Sequence, residues 1–226
     1  MKLAAPLGGP IAVKVWGDFA CFTMPEFGVE RVSYPTMTPT AAVGVLEAIY
    51  WKPEFRWRVQ AIDTLKPVRH VQLRRNEILS RQTVRIAKSW AAGDDAGLDV
   101  DSEAVRTQRS TVALADVAYV IWAHVEVRPG VEENHAKFRD QLRRRVGRGQ
   151  CYARPYLGCR EFSCEFGLPE ERDEPIEWTQ DIGQMVHSVY AGDSDPRQVG
   201  TVSPLFFPAV VRNGRLEVPP LPKGRR

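Results

Sequence analysis

Tyr50, Trp51 and Lys52 stand in a row, and Arg56 and Arg58 follow on alternate positions with Phe55 and Trp57 interleaved. A phenol, an indole, an ammonium and two guanidiniums so close together suit single-stranded RNA, whose unpaired bases stack on aromatic faces while cations neutralise its phosphates. Tyr50 is the candidate for chemistry, because its hydroxyl would then lie beside a ribose-phosphate backbone. With a reference pKa of about 10, roughly one tyrosine in a thousand carries the phenolate at neutral pH. Orienting a 2′-hydroxyl through a neutral hydrogen bond needs no shift, so that role is preferred to general base. A plainer reading stays open: Tyr50 follows Leu46 by four residues, the spacing of a core or rim aromatic.

The 226 residues carry a formal net charge of only +3, but the basic side chains are concentrated. Lys66, Arg69, Arg74, Arg75, Arg81, Arg85 and Lys88 are opposed by Glu77 alone. A second block runs from Lys137 and Arg139 through Arg143, Arg144, Arg145, Arg148 and Arg154 to Arg160, with Asp140 and then Glu161 against it. Such blocks on a nearly neutral protein point to a polyanionic partner or, as readily, to two solvated basic faces. Gly147-Arg148-Gly149 could bring backbone N–H groups close to phosphates, though many helices end on glycine. Cys21, Cys151, Cys159 and Cys164 form no Cys-x-x-Cys pair, and with His187 they match no common zinc spacing. Reduced thiols, no metal and no cofactor are expected. Gly8-Gly9-Pro10 breaks the first apolar run, and no stretch is long enough to span a membrane, so a cytoplasmic protein is expected.

The elements that must position these groups follow from pattern. Ile11, Val13 and Val15 alternate with Ala12, Lys14 and Trp16, predicting a strand that leads to Gly17, a bulge or close approach. Thr38 and Pro39 read as N-cap and first residue of a helix running toward Trp51 and stopped by Pro53. In the next strand Phe55, Trp57, Val59 and Ala61 share a core face, and Arg56, Arg58 and Gln60 a ligand face. Residues 66–112 read as a basic hairpin or arm, with a small acidic loop over 91–97. Residues 117–127 form a central strand, residues 131–146 a helix on which Val131, His135, Phe138, Leu142 and Val146 recur at helical spacing, and residues 156–166 another strand. Strand, helix, strand, strand, helix, strand is the split βαβ order of a ferredoxin-like, RRM-like α+β domain. We therefore expect residues 1–166 to form that domain with its inserted arm. Residues 167–226 should add a small antiparallel β-sheet, with strands near 185–190, 205–211 and 215–218, and a disordered Pro-rich tail.

Four segments together resemble one family: Glu47-Ala48-Ile49-Tyr50-Trp51-Lys52-Pro53, Trp16-Gly17-Asp18-Phe19-Ala20-Cys21-Phe22-Thr23, Arg74-Arg75-Asn76-Glu77 and Tyr156-Leu157-Gly158-Cys159-Arg160-Glu161-Phe162. They are similar to the RNA-processing endoribonucleases of type I-C CRISPR systems, the d/c subtype of the fifth Cas protein family in the RAMP superfamily. The likeness runs in order from about residue 12 to 215. It implies a cut in CRISPR repeat RNA at the base of its hairpin, without a metal. The 2′-hydroxyl attacks the adjacent phosphate to leave a 2′,3′-cyclic phosphate and a 5′-hydroxyl. It also implies that the protein keeps the 5′ handle of the crRNA and stays in the interference complex with the backbone and large subunits. Weak binding of duplex DNA is compatible with the basic blocks.

The family's catalytic set is a tyrosine on the first helix and a Lys-His pair near the start of the second. Tyr50 and Lys137 match; Phe138 stands where the histidine would be. A histidine there would restore an acid–base partner, a factor of about 10² to 10⁴ in rate. RNA contacts are expected from Trp51, Lys52, Arg56, Arg58, Arg74, Arg75, Arg144, Arg148 and Gly149. The alternative is a subunit that holds the 5′ handle without cutting.

Overall fold

The computed structural model describes residues 9–27, 30–78, 83–93, 106–128, 130–132, 134–188 and 204–221. The acidic part of the expected loop, from Asp94, and most of the expected tail, from residue 222, lie outside them. Alternation produces β1 (Ile11–Ala20), with Ile11, Val13 and Val15 buried. Gly17 marks a close approach: a Cβ there would sit 2.7 Å from the Ser163 carbonyl oxygen and 2.8 Å from Leu157 Cδ1. After β2 (Arg31–Val32), Thr38 caps α1 (Pro39–Ile49), its hydroxyl accepting from the Ala41 N–H at 3.3 Å, and Pro39 occupies the first turn. The helix ends at Tyr50, whose backbone is extended (φ −153°) while its N–H still donates to Leu46 O at 2.8 Å.

β3 (Phe55–Thr64) differs from its expected pattern. A bulge between Val59 and Ala61 leaves Gln60 without a paired residue in β5, its carbonyl accepting instead from the Val218 N–H at 2.8 Å. Phe55, Trp57 and Val59 lie opposite Val127, Val125 and Ala123, but Ala61 pairs with Trp122 and so belongs to the other face. The arm is a two-stranded ribbon. β4 (His70–Ile78) pairs antiparallel with the first half of β5 (Arg106–Val127), and α2 (Val84–Ala91) lies between them in sequence. The second half of β5 is the expected central strand, flanked by β1 and β3. Asp116, at φ +53°, marks the passage from ribbon to sheet and is held by Lys66 and Arg69.

α3 (His135–Gly147) begins four residues later than expected, at an Asn134 cap. Phe138, Leu142 and Val146 from α3 meet Val45, Leu46 and Ile49 from α1 over the odd-numbered residues of β1, closing one core on one face of the sheet. The strand expected over 156–166 is mostly a loop, and only β6 (Glu165–Gly167) joins β1. Leu157 N–H donates to Phe162 O and Leu157 O accepts from Cys21 N–H, so the loop's backbone groups serve turns and docking instead of a ladder.

β7 (Gln180–Ser188), which begins five residues earlier than expected, β8 (Leu205–Arg212) and β9 (Arg215–Glu217) pair antiparallel, but they extend the main sheet instead of forming a small sheet of their own. β9 also pairs with β3, so the sheet runs β6-β1-β5-β3-β9-β8-β7, with β2 and β4 attached to β5. Among the described residues only β2 pairs parallel. Between β6 and β7 the chain straps the face opposite the helices. Asp173 binds Lys14 at 2.5 Å, Ile176 N–H donates to Thr64 O at 3.0 Å, and Gly214 lies so close to Ile176 that a Cβ would clash. Among the described residues no helix is long and apolar enough to cross a membrane.

Candidate active site

Tyr50 sits where α1, β3 and α3 meet. Its ring centroid lies 5.5 Å from that of Phe55, and Phe55 lies 4.6 Å from Phe138. The carbonyl of Tyr50 accepts the Trp57 indole N–H at 2.9 Å, which fixes the turn between helix and strand. Arg145 completes the setting from α3: its guanidinium stands 5.0 Å from the Tyr50 ring centroid and donates to Ile49 O at 2.9 Å. A cation here satisfies a C-terminal carbonyl of α1 and faces the ring's π-surface at once. Tyr50 is 5% exposed, so the core reading of its ring holds, and Trp51 beside it is 51% exposed.

Lys137 is exposed in the first turn of α3, next to Phe138, which is fully buried. The ring contacts from Phe138 through Phe55 to Tyr50 therefore join the turn that carries Lys137 to the end of α1. Phe138 belongs to the core and leaves no room for the family's acid–base role at that position. His135 is turned the other way, with Nδ1 3.0 Å from Val125 O. Lys137, Gln141, Arg144 and Arg148 recur at intervals of four, three and four, which aligns them on one exposed face of α3, with Gln141 accepting from Arg144. The stripe covers about 16 Å at 1.5 Å per residue. It ends at Gly149 (φ +62°), where open space lies in the Cβ direction and the next segment docks back on α1 through Ala48 O.

Of the other RNA candidates, Arg56, Arg58, Arg74 and Arg75 are not brought to this place, whereas Lys52 lies two residues past Tyr50. Arg56 and Arg58 lie on the opposite face of the sheet, where both meet Glu126. Arg75 is tethered to Glu161, Glu77 and Thr111, whereas Arg74 projects from the outer face of the ribbon. Lys52 is half-buried in the turn before β3. Burial raises the carboxyl pKa of Glu47, in the last turn of α1, above the ordinary range. Sequence reasoning missed Arg145 as the holder of Tyr50, since three consecutive arginines do not reveal which one turns inward. It also missed Tyr152, an exposed aromatic beyond the glycine turn. All four cysteines are free, and among the described residues no group of three or more His, Cys, Asp or Glu could hold a metal ion.

A family model described as CRISPR-associated protein (Cas_Cas5) matches residues 11–219. The CRISPR pre-crRNA endoribonuclease Cas5d of Mannheimia succiniciproducens is 40% identical over 220 residues, covering 93% of this chain and 95% of the relative. The protein of the same name from Thermus thermophilus is 40% identical over 222 residues, covering 92% and 91%. Among solved structures, a CRISPR-associated protein superposes with a TM-score of 0.64 at 21% identity, covering 95% of this chain and 94% of the other. A functionally uncharacterized protein from Streptococcus mutans gives 0.62 at 19%, covering 93% and 92%. These two likenesses concern the fold.

Proposed function

The chain belongs to the CRISPR-associated Cas5 family, and from that premise we infer that it is an endoribonuclease that processes CRISPR precursor RNA and serves in the interference complex. The observation that carries the site assignment is the run of rings from Tyr50 through Phe55 to Phe138, which joins the end of α1 to the turn bearing Lys137. The 2′-hydroxyl attacks the adjacent phosphate, its proton passes to solvent, and the bond to the 5′-oxygen breaks. The products are a 2′,3′-cyclic phosphate and, once that oxygen takes up a proton, a 5′-hydroxyl. Tyr50 orients the attacking hydroxyl, Lys137 offsets charge on the phosphorane, and the stripe through Arg144 and Arg148 to Gly149 carries neighbouring phosphates. No step uses a metal. Arg74, on the free face of the ribbon, suits RNA beyond the site.

The strand order β6-β1-β5-β3, with α1 between β1 and β3 and α3 between β5 and β6, supports a ferredoxin-like reading of residues 1–166, the C-terminal strands being a smaller addition. Cleavage of cognate repeat RNA should persist in a chelator and vanish when the scissile 2′-hydroxyl is replaced by hydrogen. Loss in the chelator refutes the mechanism. A second reading, a subunit that holds the 5′ handle beside the backbone and large subunits without cutting, is favoured by one observation: buried Phe138 supplies no acid–base group next to Lys137. Purified protein that binds repeat RNA stoichiometrically and leaves it intact would establish it.

A further inference from the structure

Tyr152 is 86% exposed, more than any other large hydrophobic side chain among the described residues. Its backbone is nevertheless fixed: its N–H and that of Ala153 both donate to Ala48 O, at 2.9 and 3.0 Å. The anchored backbone holds this exposed ring at a fixed place beside the end of α1, where an aromatic face can receive a base. The surroundings select a polyanion. From Gln141 to Arg160 the chain carries six arginines and no Asp or Glu, and the basic stripe of α3 ends at Gly149, three residues before Tyr152. Trp51 emerges, half-exposed, from the same end of α1.

We propose that Tyr152 is a base-stacking residue that forms, with Trp51, a site for an unpaired nucleobase of the RNA at the carboxyl end of α1. The proposal rests on the endoribonuclease reading and deepens it. Every base has a π-face, so such a site accepts any of them and fixes where the backbone lies instead of which sequence enters. A base held there would anchor the backbone leading toward Tyr50, a contribution to binding of the RNA.

The test uses the full chain and repeat hairpins carrying 2-aminopurine at each unpaired flanking position in turn. Wild-type protein should quench the fluorescence at one position. Tyr152→Ala should abolish that quenching and weaken binding about tenfold, equivalent to about 1.4 kcal/mol, with KM moving more than kcat. Tyr152→Trp should restore both, and an unchanged melting temperature excludes misfolding of so exposed a position. If Tyr152→Ala keeps both quenching and affinity while the wild type still cuts, the proposal is overturned and the endoribonuclease reading stands. A variant that binds RNA normally yet fails to assemble with its partner subunits overturns it too, making Tyr152 a protein contact. Wild-type protein that neither binds nor cuts repeat RNA removes the underlying reading, and the stacking site with it.

Discussion

Restoring a histidine beside Lys137 should harm the protein instead of improving it. Phe138 is fully buried, 4.6 Å from Phe55 in a core that also holds Leu142 and Ile49. Burial of a phenyl ring is worth about 1.5–3 kcal/mol, and an imidazole retains part of that. Its ring nitrogens would enter a site lined by rings and aliphatic side chains, at about 1–3 kcal/mol for an unsatisfied polar group. Together these give a loss of about 3 kcal/mol for Phe138→His, or a fall in melting temperature of about 9 °C at this chain length. The imidazole would stay neutral in the fold, its pKa held below the usual value of about 6.5. The unfolded chain then binds the extra proton, so the deficit grows as pH falls through that value and is smallest at alkaline pH. Thermal melts at pH 8 and pH 5.5, paired with single-turnover cleavage, measure both parts. A variant as stable as wild type that cuts faster would show position 138 to be part of the site, and the core argument would fail.

Tyr50→Phe keeps the ring between Phe55 and Arg145, so the variant should stay folded while single-turnover cleavage slows about 100-fold or more; an undiminished rate takes the hydroxyl out of the chemistry. Arg145→Met removes the donor to Ile49 O and the cation at the Tyr50 ring, and urea titration should register a loss of about 1–2 kcal/mol with slower cutting. Normal stability and rate in that variant would mean that Arg145 holds nothing. Glu47→Gln should raise the melting temperature at neutral pH. Burial raises the folded pKa of Glu47, so the native state keeps its proton to higher pH than the unfolded state and loses stability as pH climbs above about 4.3. The advantage of the glutamine should disappear below pH ~4, and an advantage equal at every pH would assign it to something other than titration.

Much of this arrangement is visible in local chemistry. Thr38-Pro39 announces a helix start because capping and proline geometry act within a few residues, and Phe138, Leu142 and Val146 announce a buried face because their spacing is helical. The bulge at Gln60 is not visible, since no glycine marks it and the switch of Ala61 to the other face is imposed by pairing with β5. Residues 156–166 are read as a strand, while most of their backbone is committed to Cys21, a contact distant in sequence, and to turns of its own. Within the proposed site, Tyr50 and Lys137 come from motif, but the nearness of their helices depends on Phe55, which sequence assigns only to core. The separation of Arg56 and Arg58 from Tyr50 follows from strand alternation, whereas their capture by Glu126 depends on a neighbouring strand far along the chain.

The strap between β6 and β7 makes this a one-sided molecule. A β-sheet that binds RNA often offers an uncovered face as a platform on which several bases spread, with little demand on how the rest of the transcript is folded. Here a peptide segment moored at Lys14 and Thr64 crosses that ground. On the proposed function, the rim at the end of α1 is the place left for RNA, and a transcript whose own fold delivers a strand there is the one such a molecule would favour.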